Sequence, residues 1–497
     1  MHGIVVAYGS LVANDNIDLE VQRGEIRALL GENGAGKTTL MKALVGLAPL
    51  KSGTLSLNGQ AITDISPVAA RNAGIGMVHQ HFMLIPTLTV AQNVCIGLRS
   101  AGYPFPDSRK VSVSLQDLSE QYKLKVNPAA RVSDLSVGEQ QRVEILKTLY
   151  RGAMLLVLDE PTSVLIPQEI DGLFEIIRGL SALGTAVIFI SHKLNEVMNI
   201  SQTVTVLRNG RVAATRATRE TNARELARLM VGRDMEDLPA APSLAASAPL
   251  VARVHGLRYV DPRGVSTLRG IDLDIHAGEI HGIAGVDGNG QVELARIVAG
   301  ILPASSGTVL LDGKDITRLN PAKRIQAGLA YIPADRQRSA LAMELSVFDN
   351  LVLKASDRPP FSAHGFLNFA RLKELVDASV KDFDIRCTST EQAVRTLSGG
   401  NQQKLVLARE LRANPRLIVA VQPTHGLDVS ATHYVHSMLL EQRRKGCAIL
   451  LISTELDEIL SLSNRLSVIY EGTLSATFDR AQANRETLGL LMAGKRP

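Results

Sequence analysis

The run Gly31-Glu-Asn-Gly-Ala-Gly-Lys37-Thr38 satisfies the pattern GxxxxGK[ST], with a strand-like IRALL leading in and a helical TTLMKALVGL leading out. Such a loop turns backbone N–H groups toward phosphate oxygens at a helix N-terminus. Gly31, Asn33, Gly34 and Gly36 are therefore expected to line the phosphates. Lys37 supplies a charge for the β- and γ-phosphates, the Thr38 hydroxyl is placed to ligate Mg²⁺, and Thr39 follows it. A chance glycine-rich turn would not bring both flanks with it. Further along, Asp159 and Glu160 close the aliphatic run LLVLDE, where a carboxylate leaves a sheet edge. Asp159 is expected to hold Mg²⁺ through water and Glu160 to polarise an attacking water. His192, directly after TAVIFIS, is placed for the γ-phosphate and that water. An acidic pair or a histidine at a strand end is ordinary alone; their order after the phosphate loop carries the reading.

The elements that must position these residues occur twice. GEI at Gly24 returns at Gly278, GENGAGK at Gly31 as GVDGNGQ at Gly285, and SGT at Ser52 returns at Ser306, each 254 residues later. LSVGEQQ at Leu135 returns as LSGGNQQ at Leu397 and LLVLDEP at Leu155 as LIVAVQP at Leu417, both 262 residues later, so the second copy holds a net eight-residue insertion between Ser306 and Leu397. The Ala- and Pro-rich PAAPSLAASAP from Pro239 to Pro249 reads as a linker. The expected division is a first domain over 1–236, a linker over 237–250 and a second domain over 251–497. MLLVLDE, TAVIFIS, RLIVAV and CAILLIS read as buried strands of mostly parallel sheets, and PQEIDGLFEIIRGLSALG as a crossover helix ending at a glycine. The stretch from Phe82 to Leu149 lacks strand alternation and reads as an inserted helical subdomain.

Composition narrows the classes. The chain has 497 residues, 45% hydrophobic and 21% charged, which excludes a chain that is mainly disordered. No apolar run approaches the roughly 18 to 20 residues needed to cross a bilayer, and MHGIVVAYGS lacks the basic and apolar regions of an export signal. Cys95, Cys387 and Cys447 are far apart, excluding a disulfide framework or cysteine metal site and fitting a reducing cytoplasm. A net charge of +5 is spread along the chain, and the longest basic cluster, Arg443-Arg444-Lys445, reads as a solvated face rather than a nucleic-acid footprint.

With GENGAGKT, Gln80, LSVGEQQ, LVLDEP and His192 in this order, the chain resembles an ABC-type ATPase, and the repeat extends the resemblance over almost its whole length. The resemblance implies an α/β fold of two tandem P-loop ATPase domains, each with a mostly parallel core sheet, an antiparallel β subdomain and a helical insertion. It implies that Gln80 senses Mg²⁺ and the γ-phosphate, and that Ser136 and Gly138 form a signature turn capping a phosphate bound by the opposite half. Tyr8 would stack on adenine. Its leading strand reads as short beside LVARVHGLRY, so the start is expected to lack a few residues.

In the second half Lys37 is matched by Gln291, Thr38 by Val292, Gln80 by Ala334, Asp159 by Val421, Glu160 by Gln422 and His192 by Thr454. Transition-state stabilisation should collapse there, while the retained glycines of GVDGNG leave nucleotide binding open. Its own signature remains whole. ABC modules close head to tail, so Ser398, Gly399, Gly400 and Gln402 would complete the site built on Lys37. This asymmetry resembles the ATP-binding subunits of bacterial importers for simple sugars and nucleosides, and MVHQHFMLIPTLTVAQN, LSVGEQQRVEILKTLYRGA and YIPADRQR look closest to the purine-nucleoside branch. Within that resemblance, Ile166 departs from the acidic residue that Asp428 supplies in the second half. The resemblance implies ATP and Mg²⁺, two integral-membrane permease subunits, an indirect extracytoplasmic solute-binding protein, no nucleic acid, and a peripheral place on the cytoplasmic face of the inner membrane. Monosaccharides such as ribose or galactose are the near alternative cargo. A tandem ABC ATPase acting on the ribosome or on nucleic acid is the alternative from another class, disfavoured by the short linker and the degenerate second loop.

Overall fold

The computed structural model describes residues 1–9, 11–80, 82–98, 108–162, 165, 167–234, 247–356 and 359–495. The chain divides into two compact units, Met1–Glu236 and Asp237–Pro497. Residues 237–246 of the expected linker lie outside the described residues, as does Ile166.

In the first unit a six-stranded sheet runs Arg211–Ala217, Thr203–Arg208, Ile26–Leu30, Ala186–Ile190, Leu155–Asp159, Ile75–Val78, parallel except at its first pair. Leu155–Asp159 and Ala186–Ile190 are buried at every position. Both faces of a parallel sheet are covered, which is why these strands are aliphatic throughout rather than alternating. Four neighbouring strands thus end at one edge, delivering the phosphate loop, His192, Asp159 with Glu160, and Gln80 side by side. Ligands of open α/β sheets bind at this carboxyl edge.

Beside the core sheet lies a small antiparallel one, ordered Leu11–Ile17, His2–Tyr8, Ser52–Thr54. The stretch expected to be helical contains Val90–Cys95, Ser108–Gln121 and Val137–Tyr150. The crossover helix Pro167–Ala182 stops just before Gly184, whose φ of +90° suits a residue without Cβ.

The second unit repeats this plan. Leu329–Ile332, Leu417–Val421, Ala448–Ser453, Ile280–Ala284 and Arg465–Tyr470 form its parallel core, and Leu250–Val260 and Ser266–His276 pair in its antiparallel sheet. A two-stranded hairpin, Ser362–Ala363 with Phe366–Leu367, falls within the interval that holds the insertion. One expectation needs correcting. Arg443 is not on a solvated face: it is 8% exposed and its Nη1 has no hydrogen-bond partner among the described residues, because the helix Val429–Arg444 turns it inward while Arg444 and Lys445 stay exposed. Among the described residues no helix is long and apolar enough to cross a membrane.

Candidate active site

The strand Ile26–Leu30 runs into the phosphate loop, and the helix Lys37–Leu44 runs out of it. Gly36, at φ +97°, is the hinge between them. A Cβ there would lie 2.5 Å from Asn14 Nδ2 and 2.6 Å from Ala13 O, so no other residue fits. Asn14 is fully buried and donates from Nδ2 to Gly36 O at 3.1 Å, while its Oδ1 has no hydrogen-bond partner among the described residues. Lys37 is 7% exposed and lies back over the loop, donating to Gly31 O at 2.7 Å and Glu32 O at 3.0 Å. Its ammonium is thus held, largely desolvated, at the place where phosphate oxygens would replace those carbonyls. Asn33, Gly34 and Thr38 are exposed at the loop and the first helical turn, and Thr39 is half-buried.

Three of the expected catalytic residues meet at Glu160. Its Oε2 accepts from Gln80 Nε2 at 3.0 Å, and its Oε1 lies 3.1 Å from His192 Nδ1. The hydrogen bond from His192 holds the Glu160 carboxyl below its ordinary range against the opposing effect of burial. Neighbouring Asp159 behaves oppositely. Burial, then the charge of Glu160, push its pKa up to about 6, with Lys37 only partly countering them. The backbone at Glu160 is left-handed, with φ +47°, and its N–H donates to Ile190 O at 3.0 Å. A non-glycine residue there carries strain of about 1–2 kcal/mol, and the strand contact keeps it in place. Behind this cluster, Glu196 Oε2 accepts from Thr162 Oγ1 at 2.6 Å and from Ser191 Oγ at 3.2 Å, tying together the segments that follow two adjacent strands.

This geometry fits a divalent cation. A buried carboxyl driven toward protonation by a carboxylate neighbour is relieved by a positive ion, and Thr38 and Gln80 supply oxygen near the same edge. Among the described residues no group of three or more His, Cys, Asp or Glu could hold a metal, so such an ion would depend on phosphate oxygens for much of its coordination.

The two signature turns are helix N-caps with different surroundings. Ser136 caps Val137–Tyr150 in a reciprocal box with Glu139, Ser136 N–H donating to Glu139 Oε2 at 2.8 Å. Behind it, a Cβ on Gly138 would lie 2.6 Å from Glu169 Oε1. Ser398 caps Gly399–Leu411, and its Oγ accepts from Asn401 Nδ2 at 3.0 Å. Here a Cβ on Gly399 would lie 2.8 Å from Arg336 Nη2, whose guanidinium also donates from Nη1 to His425 O at 2.8 Å. One turn is backed by a carboxylate and the other by a guanidinium. Gly400 packs against Ala431, and Gln402 is 2% exposed, donating to Leu397 O at 3.1 Å, so Gln402 shapes its turn from within. Tyr8 ends the strand His2–Tyr8, paired with Leu11 and 48% exposed, on the sheet that also carries Asn14.

At the matched positions of the second unit, Gln291 is 4% exposed and bonds to its own loop, and Gln422 keeps the left-handed backbone of Glu160 with φ +42° and N–H to Ile452 O at 2.7 Å. Val292, Ala334, Val421 and Thr454 offer neither carboxylate nor imidazole. Glu458 repeats Glu196, accepting from Thr424 Oγ1 at 2.8 Å. Motif reading alone missed Asn14, Glu196, Thr162, Glu169 and Arg336. Asn14 had a signal, since the 254-residue repeat sets it opposite Leu268, an apolar residue.

The chain matches the ABC transporter family over residues 14–163 and 268–425. It is 45% identical to the guanosine import ATP-binding protein NupO of Bacillus subtilis, over 99% of this chain and 97% of that protein. It is 43% identical to the glucose import ATP-binding protein TsgD13 of Haloferax volcanii, over 99% of this chain and 95% of that protein. Among solved structures it is similar to the complex of archaeal ribosomal stalk protein aP1 and archaeal ribosome recycling factor aABCE1, with a TM-score of 0.64, covering 96% of this chain and 90% of that one. At 21% identity, this last likeness shows the fold alone.

Proposed function

Because the chain belongs to the ABC transporter family, whose domain it carries twice, we propose that it is the ATP-hydrolysing subunit that energises an importer for nucleosides or simple sugars. The observation that supports this most directly is the Gln80–Glu160–His192 cluster beside the buried Lys37, present in one unit and missing from the other. A bound Mg²⁺–ATP would supply the scissile γ-phosphate and the metal charge that offsets its oxygens. The rest is the work of this chain. Backbone N–H groups of Gly31 to Gly36 bind the phosphates, and Lys37 transfers its donors from Gly31 O and Glu32 O to them. Asp159, Thr38 and Gln80 would hold the metal. Glu160 takes the proton of the attacking water, with Gln80 and a protonated His192 Nδ1 fixing its two oxygens so that one lone pair faces the nucleophile. His192 Nε2 is then left to the γ-phosphate. Tyr8 takes the adenine.

Glu160→Gln tests the base. Removing the acceptor while preserving shape should slow single-turnover hydrolysis by about 10² or more and leave equilibrium nucleotide binding intact. If both fall together, Glu160 is not the base.

The subunit works against two integral-membrane permease subunits on the cytoplasmic face of the membrane, with an extracytoplasmic solute-binding protein delivering the cargo. A nucleoside is the first choice of cargo, supported by the 45% identity to a guanosine importer subunit and by the strings around Gln80, Ser136 and Arg336. A simple sugar is the second, supported by the glucose relative at 43%. Uptake of labelled guanosine and labelled monosaccharides, in cells with and without this chain, decides between them.

A further inference from the structure

Both phosphate loops are tied to their own residues, the first by Lys37 to Gly31 O and Glu32 O and by Ala35 N–H to Glu32 O, but the second carries more ties from side chains. Gln291 Oε1 accepts the backbone N–H of Asn289 at 3.0 Å, and Gln291 Nε2 donates to Val286 O. Asn289 adds two more ties, donating from Nδ2 to Val286 O at 2.9 Å and accepting at Oδ1 from Glu471 N–H at 2.8 Å. In the first loop the matched residue is Ala35, which has no side chain to do this. Across the site, Gln422 Nε2 donates to Asp287 Oδ1 at 2.9 Å, joining the end of strand Leu417–Val421 to the loop.

Charge changes with the bonding. Where the first loop has Glu32, Asn33 and Lys37, the second has Val286, Asp287 and Gln291, so each loop carries one carboxylate but only the first has a positive group. Val292 and Val421 stand where Thr38 and Asp159 would bring a metal to neutralise phosphates. A triphosphate entering this loop would face an uncompensated carboxylate and would have to break the Gln291 and Gln422 contacts to reach the backbone. The donor set does not fit Mg²⁺–ATP.

We infer that the second loop is a self-locked element that takes no nucleotide, and that the chain binds one Mg²⁺–ATP. Gln291, Asn289, Asp287 and Gln422 hold the loop in the same conformation as the first, with Gly290 at φ +101° against Gly36 at +97°, so the second unit keeps its fold without a ligand. The inference rests on the reading of the first unit as the nucleotide site, and the two fail separately.

Equilibrium dialysis of the full chain against a labelled, non-hydrolysable ATP analogue with Mg²⁺ provides the test. One nucleotide per chain at saturation is expected. Two would overturn the lock, and none would overturn the first-unit reading instead. Asp287→Asn combined with Gln291→Lys, which removes the carboxylate and restores the charge, should raise the stoichiometry from one to two. A folded double variant still binding one would mean that these side chains are not what excludes nucleotide. Amide hydrogen exchange offers a readout independent of the variants. Nucleotide should slow exchange in residues 31–37 at least tenfold and leave residues 285–291 unchanged; equal slowing in both loops would overturn the inference.

Discussion

Glu160 and Gln422 occupy the same turn in the two units, and the turn is kept with and without its carboxylate. Both residues are left-handed, at φ +47° and +42°, and both donate a backbone N–H to a carbonyl near the end of the neighbouring strand, Ile190 O and Ile452 O. The strain belongs to the way a parallel strand ends at this edge, not to the carboxylate that only the first unit carries there. What differs is the company each side chain keeps. Glu160 is held by an amide and an imidazole, while Gln422 is drawn to Asp287 in its own loop. On the proposed function, catalysis depends on a handful of polar groups that the scaffold positions but does not require.

The largest effect that could break this comparison is loss of Lys37. Lys37→Ala should abolish Mg²⁺–ATP hydrolysis and transport, because water cannot replace a buried ammonium within the loop. Retention of more than about a tenth of wild-type turnover, a loss under roughly 1.4 kcal/mol, would mean that the first unit is not the hydrolytic one.

Next come the two signature serines. If the Ser398 turn completes the active site, as the resemblance implies, Ser398→Arg, a bulky cation in that turn, should remove nearly all hydrolysis, whereas Ser136→Arg should remove much less. Steady-state ATPase rates with the permease at saturating ATP compare them. Equal losses would end the idea that each turn serves the opposite unit.

A smaller effect, on stability, sharpens the contrast between Asp159 and Val421. The Asp159 pKa is raised to about 6, so the folded chain holds this proton more tightly than the unfolded one. Its contribution is fully present below the ordinary carboxylate range near pH 4 and is lost as pH rises through about 6. Asp159→Asn should therefore stabilise the nucleotide-free protein at pH 7 by at most about 3 kcal/mol, with no gain near pH 4. Thermal melts at the two pH values measure it. The same substitution should abolish the Mg²⁺ dependence of nucleotide binding. A Tm at pH 7 that does not rise would show that Asp159 is not strained.

The smallest effect is an expected silence. Gln291→Lys alone should leave hydrolysis at one ATP per closure, since Val292, Val421, Gln422 and Thr454 still supply no metal ligand, base or γ-phosphate contact. Trapped-nucleotide stoichiometry near two would refute the degeneracy of the second site.

Much of this was legible in the chain because it is written in local pattern. A phosphate loop needs glycines at fixed spacing, a doubly covered strand needs a run of aliphatics, and a repeat offset of 254 residues exposes every lost polar group by direct comparison. Those rules act over a few neighbouring residues and leave a mark in their order. The same reasoning went astray at Arg443, where three consecutive basic residues read as one surface although a helix turns successive side chains about 100° apart.

Only tertiary structure could decide which groups meet. Gln80, Glu160 and His192 lie on three separate segments, and the parallel register of Ile75–Val78, Leu155–Asp159 and Ala186–Ile190 brings them within hydrogen-bond reach. Asn14 reaches the phosphate loop from the antiparallel sheet, and Arg336 and Glu169 reach the two signature turns from elements distant in sequence. The second loop makes the same point. GVDGNGQ shows that lysine is missing, but whether the remaining donors stay open depends on where the glutamine and asparagine side chains pack. Burial also raises the Asp159 pKa, and burial is a property of everything folded around that carboxyl rather than of its neighbours along the chain.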